Sequence, residues 1–150
     1  MKKIIRYLTL GAFFVLAFTS CQKEPSELIL GRWKVDINLS TNHEILTSPD
    51  DNFDDTYPLS QSGVDSAFFT FNDNGTVKVE SYYEYESAPD VEVLSYTLDD
   101  GFLQMENEQE RYAITALDSK QLVLDGHDVE TFEEGTYEWF VHFVMNKVKE

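Results

Sequence analysis

Apolar side chains recur at every second position over much of this chain, and this period limits the folds open to it. The clearest case is the segment 136–148, whose odd-numbered positions hold Tyr137, Trp139, Val141, Phe143 and Met145. A period of two is typical of a β-strand with one face buried. No helical period of useful length occurs after residue 20, so the pattern predicts an all-β domain.

The alternating segments are short, and residues that favour turns separate most of them. We predict eight strands, at 32–39, 67–71, 76–86, 91–98, 102–106, 110–117, 121–124 and 136–148. Asn74-Gly75 and Asp100-Gly101 are typical of tight hairpins, and Asp125-Gly126 is predicted to begin a polar loop. Residues 41–65 show no alternation and are predicted to form a long loop with at most one helical turn.

Eight consecutive antiparallel strands favour an up-and-down barrel of the lipocalin-like, calycin type, because closing the sheet removes its exposed edges. A barrel of this size is either filled by its own side chains or holds one small ligand. The alternative is an open sandwich of two sheets.

The first 20 residues have the layout of a secretory signal: Lys2, Lys3 and Arg6, then an apolar stretch over 7–18. That stretch is shorter than the roughly 20 residues a membrane helix needs. The segment 18–21 resembles a lipobox, which implies cleavage before Cys21 and a lipid anchor there. The chain then divides into a signal (1–20), a tether (21–27) and one domain (28–150).

The charge of the chain excludes one class of partner. Three of its 11 basic residues and none of its 28 acidic residues lie in the signal, which leaves a net charge of −20 on the rest. Such a domain repels phosphate backbones, so we expect no nucleic-acid partner. We expect contact with the membrane only through Cys21. Residues 22–24 resemble the short signals of surface lipoproteins of Bacteroidetes, which favours the outer membrane.

The phrase 28–35, with Gly31-Arg32-Trp33 at its centre, resembles the lipocalin-like lipoproteins of Bacteroidetes. The segments 69–77, 112–117 and 122–124 resemble later hairpins of that family. The resemblance implies that Gly31 and Trp33 close one end of the barrel, where lipocalins pack an arginine over the tryptophan. This sequence has no arginine after Arg111, so Lys147 or Lys149 would take its place.

Aromatic residues within the predicted strands are the best candidates for binding a ligand. We predict that they line the barrel mouth and hold a small, mostly apolar molecule; the candidates are Phe69, Phe71, Tyr83, Tyr85, Tyr96 and Trp139. The alternative is that these aromatics are core filler. A solid barrel would instead serve as an interaction or structural lipoprotein, with the loop 41–65 or a sheet face as its contact surface.

The sequence offers no catalytic constellation, and we predict a protein that is not an enzyme. His43, His127 and His142 lie far apart in sequence, without the spacing of a metal site. The Asp-rich stretch 50–55 is a candidate for calcium, but it lacks the glycine and the final glutamate of an EF-hand. We therefore expect no metal and no cofactor.

Overall fold

A computed structural model of the chain describes residues 23–105 and 111–149. The predicted signal and Cys21 lie outside these residues. The elements are α1 (Pro25–Leu28), β1 (Gly31–Val35), β2 (Thr41–Thr47), β3 (Asn52–Pro58), a 3-10 turn (Leu59–Gln61), β4 (Val64–Phe71), β5 (Thr76–Tyr83), β6 (Asp90–Asp99), β7 (Phe102–Met105), β8 (Arg111–Leu117), β9 (Gln121–Phe132) and β10 (Gly135–Lys147). No helix in the described residues is long and apolar enough to cross a membrane.

Eight of these strands form a closed antiparallel barrel, as the sequence predicts. The strands β4 to β10 follow one another in order, β1 pairs with β4 on one side, and β1 pairs with β10 on the other. The pairing of β1 with β10 includes Trp33 opposite Lys147 and Val35 opposite Met145. Because this pairing completes the ring, the open sandwich is excluded.

The first predicted strand, 32–39, ends earlier than its alternation suggests. The β1 strand stops at Val35, since the Asp36 carboxylate accepts hydrogen bonds from the backbone N–H groups of Asn38 and Leu39, both 3.2 Å long. The chain then bends through the buried Ser40, whose Oγ accepts a 2.9 Å bond from the N–H of Val144. Because of this bend, the C-terminal part of β10 pairs with β1 and the N-terminal part of β10 pairs with β2.

The long loop predicted over 41–65 is wrong: β2 and β3 form a hairpin there, and the 3-10 turn follows it. The hairpin continues the sheet from β10, with Thr41–Thr47 opposite residues 136–142. It has no alternating apolar pattern because both of its faces remain partly open to solvent. Its stability comes from pairing with β10, whose residues lie 89 to 101 positions after their partners in β2.

The loop predicted from Asp125-Gly126 is also wrong, because β9 runs without interruption to Phe132. A Cβ atom at residue 126 would lie 2.8 Å from Cε1 of Tyr112 and 2.9 Å from Cγ1 of Val141. Gly126 is therefore needed for close packing inside the barrel and not for a turn.

The short hairpins lie where the sequence predicts them at one end of the barrel. Gly75 and Gly101 have φ values of 78° and 82°, in the left-handed region that glycine adopts without strain. These turns and α1 lie at the same end, which we call the closed end. The half of the interior next to it is filled by fully buried side chains: Trp33, Val35, Phe71, Val77, Leu103, Leu122, Leu124 and Met145.

Candidate functional site

The opposite half of the barrel contains a cavity of about 360 Å³. The cavity lies where β4, β6, β8 and β10 begin and β5 and β7 end, which we call the mouth. Leu59 of the 3-10 turn reaches it from the segment after the β2–β3 hairpin. The lining residues are Leu59, Val64, Ala67, Phe69, Val79, Ser81, Tyr83, Glu92, Met105, Tyr112, Trp139 and Phe143.

Strand alternation explains why these side chains meet. In β4, Ala67 and Phe69 are buried while Phe68 and Thr70 are only half-buried, and Tyr112 of β8 is buried beside the exposed Arg111. The ring of Phe143 lies 5.8 Å from that of Phe69 and 6.3 Å from that of Tyr112, centroid to centroid. The cavity therefore has an aromatic floor with apolar walls, as ligand pockets usually do.

Three of the six predicted aromatic residues line the cavity: Phe69, Tyr83 and Trp139. Phe71 belongs to the packed closed half, with its ring edge-on to Tyr96 at 5.1 Å. The Tyr96 hydroxyl donates to the carbonyl of Asn72 in the β4–β5 turn, at 3.2 Å. Tyr85 lies in the loop after β5 with 91% of its surface exposed, outside the cavity.

Sequence reasoning missed most of the other lining residues. Phe143 lies two residues from the buried Val141 and Met145, and Tyr112 lies two residues from the half-buried Ile114; this alternation was the available signal. Glu92 is opposite Val79 in the β5–β6 pairing and shares its face with Leu94 and Tyr96. Glu92 thus faces the cavity, whereas Val91 and Val93 are exposed on the outside.

At the closed end, Trp33 is completely buried and its Nε1 donates to the carbonyl of Ile29 at 2.6 Å. Lys147 of β10 donates to the carbonyls of Leu28 and Leu30, so its ammonium group joins the last strand to the segment entering β1. Gly31 has a φ of 101°, and a Cβ there would lie 3.2 Å from the end of the Lys147 side chain. This end is closed by contacts between the two termini of the barrel.

A second cluster of polar residues lies on the inner face of the β2–β3 hairpin, beside the mouth. The Tyr57 hydroxyl donates to the Glu44 carboxylate, and this bond is the main reason why the pKa of Tyr57 is raised. Burial, together with a bond to Glu44, raises the pKa of Tyr137 to about 12. Both phenols therefore remain neutral at neutral pH.

The three histidines lie on the outer face of β2, β9 and β10, away from the cavity. Phe140 stacks between His43 and His127, with centroid distances of 5.2 and 4.2 Å. Each histidine contacts a carboxylate: Asp54, Glu138 and Asp125, for His43, His127 and His142. Among the described residues, no three His, Cys, Asp or Glu side chains are grouped to hold a metal ion, and this includes the stretch 50–55.

Solved structures that are similar to this chain include bovine odorant binding protein in complex with a selenium-containing odorant. That alignment has 18% identity, covers 86% of this chain and 75% of that chain, and has a TM-score of 0.47. The siderocalin Ex-FABP aligns at 10% identity over 85% of this chain and 76% of that one, with a TM-score of 0.43. A deswapped triple mutant of bovine odorant binding protein aligns at 16% identity over 80% and 74%, with a TM-score of 0.41. No family model matches the chain, and no curated protein matches it.

Proposed function

We propose that this protein is a lipid-anchored, lipocalin-like binding protein of the cell envelope that holds a small, mostly apolar molecule at the barrel mouth. The cavity carries the proposal, because about 360 Å³ beside the packed half is left unfilled by side chains. A pocket of this size falls at the lower end of the range for small-molecule sites, about 300–1,000 Å³.

The cavity favours ligand binding over the alternative of a solid barrel used only as an interaction surface. Aromatic rings and aliphatic side chains form most of its wall, so an apolar molecule would be removed from water there. Ser81 and the tyrosine hydroxyls add a few polar groups that would orient the molecule. The lining has the composition of a binding site.

Binding can be tested with the neutral fluorescent molecule N-phenyl-1-naphthylamine. We expect its emission to rise when it is added to the purified full-length protein. Ser81→Trp places an indole in the cavity and should abolish the rise, whereas Ser87→Trp, in the exposed loop after β5, should leave it unchanged. Equal emission with both variants would refute binding at the mouth.

The anchor is proposed from the sequence of residues 1–21 and has its own test. Labelling cells with a palmitate analogue should mark the wild-type protein, and the label should move with the membrane fraction. Cys21→Ser should lose both the label and the membrane association. A Cys21→Ser protein that still fractionates with membranes would overturn the lipid anchor and leave the cavity proposal standing.

A further inference from the structure

Among the described residues that line the cavity, one has a charged side chain, and that residue is the acid Glu92. Glu92 faces inward from β6 and lies at the rim, where its carboxylate is still in contact with water. In the described residues, no lysine, arginine or histidine forms an ion pair with Glu92. A ligand that enters the mouth therefore meets an apolar wall and an uncompensated negative charge.

Trp139, which lines the cavity from β10, is flanked by two more carboxylates. Glu44 of β2 is its partner on one side and Asp128 of β9 on the other. Partners directly opposite in antiparallel strands point to the same face, with Cβ atoms about 5 Å apart. Both acids therefore share the inner face with Trp139, and neither forms an ion pair among the described residues.

The basic side chains are placed elsewhere on the barrel. Arg32, Lys34 and Lys78 alternate outward, away from the buried positions of their strands. Arg111 lies over the ring of Phe102 on the outer surface, and Lys147 is at the closed end. Because the net charge beyond residue 20 is also strongly negative, the field at the mouth attracts cations and repels anions.

Two further features of the inner face suit a molecule with N–H donors. The buried Oδ1 of Asn42, next to Glu44 on the same face of β2, has no hydrogen-bond donor among the described residues. Tyr83, Tyr112 and Trp139 also line the cavity, and the face of an aromatic ring attracts cations. The pKa of Tyr57 is raised first by its hydrogen bond to Glu44 and that of Tyr137 first by burial, and repulsion from the Glu44 carboxylate adds to both.

We propose that the mouth selects apolar molecules that carry a protonated amine, with the apolar body in the cavity and the ammonium group at Glu92. This inference rests on the proposed function, because it assigns a chemical class to the ligand of the same cavity. The same charges disfavour anionic amphiphiles such as fatty acids.

The test uses three molecules of matched size: 4-phenylbutylamine, 4-phenylbutan-1-ol and 4-phenylbutyrate, titrated into the full-length protein by calorimetry at neutral pH. We expect the amine to bind about three- to fivefold more tightly than the alcohol, as for an ion pair at a solvent-exposed rim. The carboxylate should bind more weakly than the alcohol.

The variant Glu92→Gln should bring the amine to within about twofold of the alcohol and leave the alcohol unchanged. Glu86→Gln is the matched control, since it changes the net charge equally in the loop after β5, outside the lining. It should retain the preference for the amine.

The outcomes separate the two proposals. If the alcohol binds and the amine has no advantage, selection of amines is wrong and the binding cavity stands. If none of the three molecules binds, and N-phenyl-1-naphthylamine does not bind either, both proposals fail. If Glu86→Gln removes the preference as fully as Glu92→Gln does, the effect belongs to net charge and the assignment of Glu92 is overturned.

Discussion

The ammonium group of Lys147 lies 4.2 Å from the centroid of the Trp33 ring. The same group donates to the carbonyls of Leu28 and Leu30, so one side chain joins the last strand of the barrel to the first. An arginine would offer a planar group for stacking on the indole; here a lysine supplies a compact charge and its hydrogen bonds. The contact closes the end of the barrel opposite the cavity.

Lys147→Met should therefore destabilise the barrel by about 1–3 kcal/mol, since it removes a cation–π contact and the donor to two carbonyls. Urea denaturation should show a lower midpoint with an unchanged m-value. Lys149→Met, at an exposed position two residues later, should change stability by less than about 0.5 kcal/mol. Equal stability of the Lys147→Met variant and the wild type would show that closure does not depend on this contact.

Gly126→Ala should also destabilise the protein, by about 1–3 kcal/mol, because the added methyl group overlaps the rings and side chains around it. The nearest atoms, in Tyr112 and Val141, would be closer than 3.0 Å to it. Tyr112→Leu removes the ring, so the alanine should cost less in the double variant than in the single one. Urea midpoints of the four proteins give the coupling, and strictly additive changes would refute the proposed overlap.

The closed barrel was predictable because local sequence patterns indicate both its strands and its hairpins. Period-two alternation marks the strands, and Asn74-Gly75 and Asp100-Gly101 mark hairpins that require positive φ. Gly126 was misassigned because Asp-Gly usually indicates a turn, whereas here the glycine makes room for Tyr112. Its isolated position inside an alternating segment was the signal for close packing.

The β2–β3 hairpin and the inner carboxylates could not be predicted in this way. The hairpin is held by cross-strand pairs such as Tyr57 with Glu44, and by pairing with a strand distant in sequence. Since strand preference depends strongly on such neighbours, the local pattern of residues 41–58 is uninformative. The position of Glu44 beside Trp139 follows only from the register of β2 on β10.

Glu44→Gln should lower the pKa of Tyr57, because the hydrogen bond to the Glu44 carboxylate is the largest cause of its rise. It should lower the pKa of Tyr137 less, since burial is the first cause there. Ultraviolet titration of tyrosinate should show the late-titrating phenols ionising at lower pH in the variant. Glu138→Gln, on the outer face of β10 beside His127, should leave the titration unchanged.

The raised pKa values of Tyr57 and Tyr137 also predict how the stability of the protein depends on pH. A folded pKa above the unfolded value of about 10 favours the neutral phenol, so this contribution is present below pH 10. For Tyr137 it is lost as the pH rises from about 10 to about 12. The stability of the Glu44→Gln variant should therefore fall less steeply over this alkaline range, and parallel curves for both proteins would contradict the assignment.

The hydrogen bonds of Asp118 predict how the stability of the protein changes at low pH. Its carboxylate accepts bonds of 2.6 and 2.8 Å from the backbone N–H groups of Lys120 and Gln121 in the β8–β9 turn, which lowers its pKa. A lowered folded pKa stabilises the protein above the unfolded value of about 3.9, and this stability is lost as the pH falls through the folded value.

Asp118→Ala should therefore melt at a lower temperature than the wild type at neutral pH, and the gap should narrow steadily below a pH of about 4. Asp118→Asn keeps a side-chain oxygen that can accept the same bonds without titrating. The difference in melting temperature between Asp118→Asn and Asp118→Ala should therefore not change with pH. Thermal melting between pH values of about 3 and 7 measures all three proteins. A gap between the wild type and Asp118→Ala that stays constant across this range would show that the charge of Asp118 does not stabilise the turn.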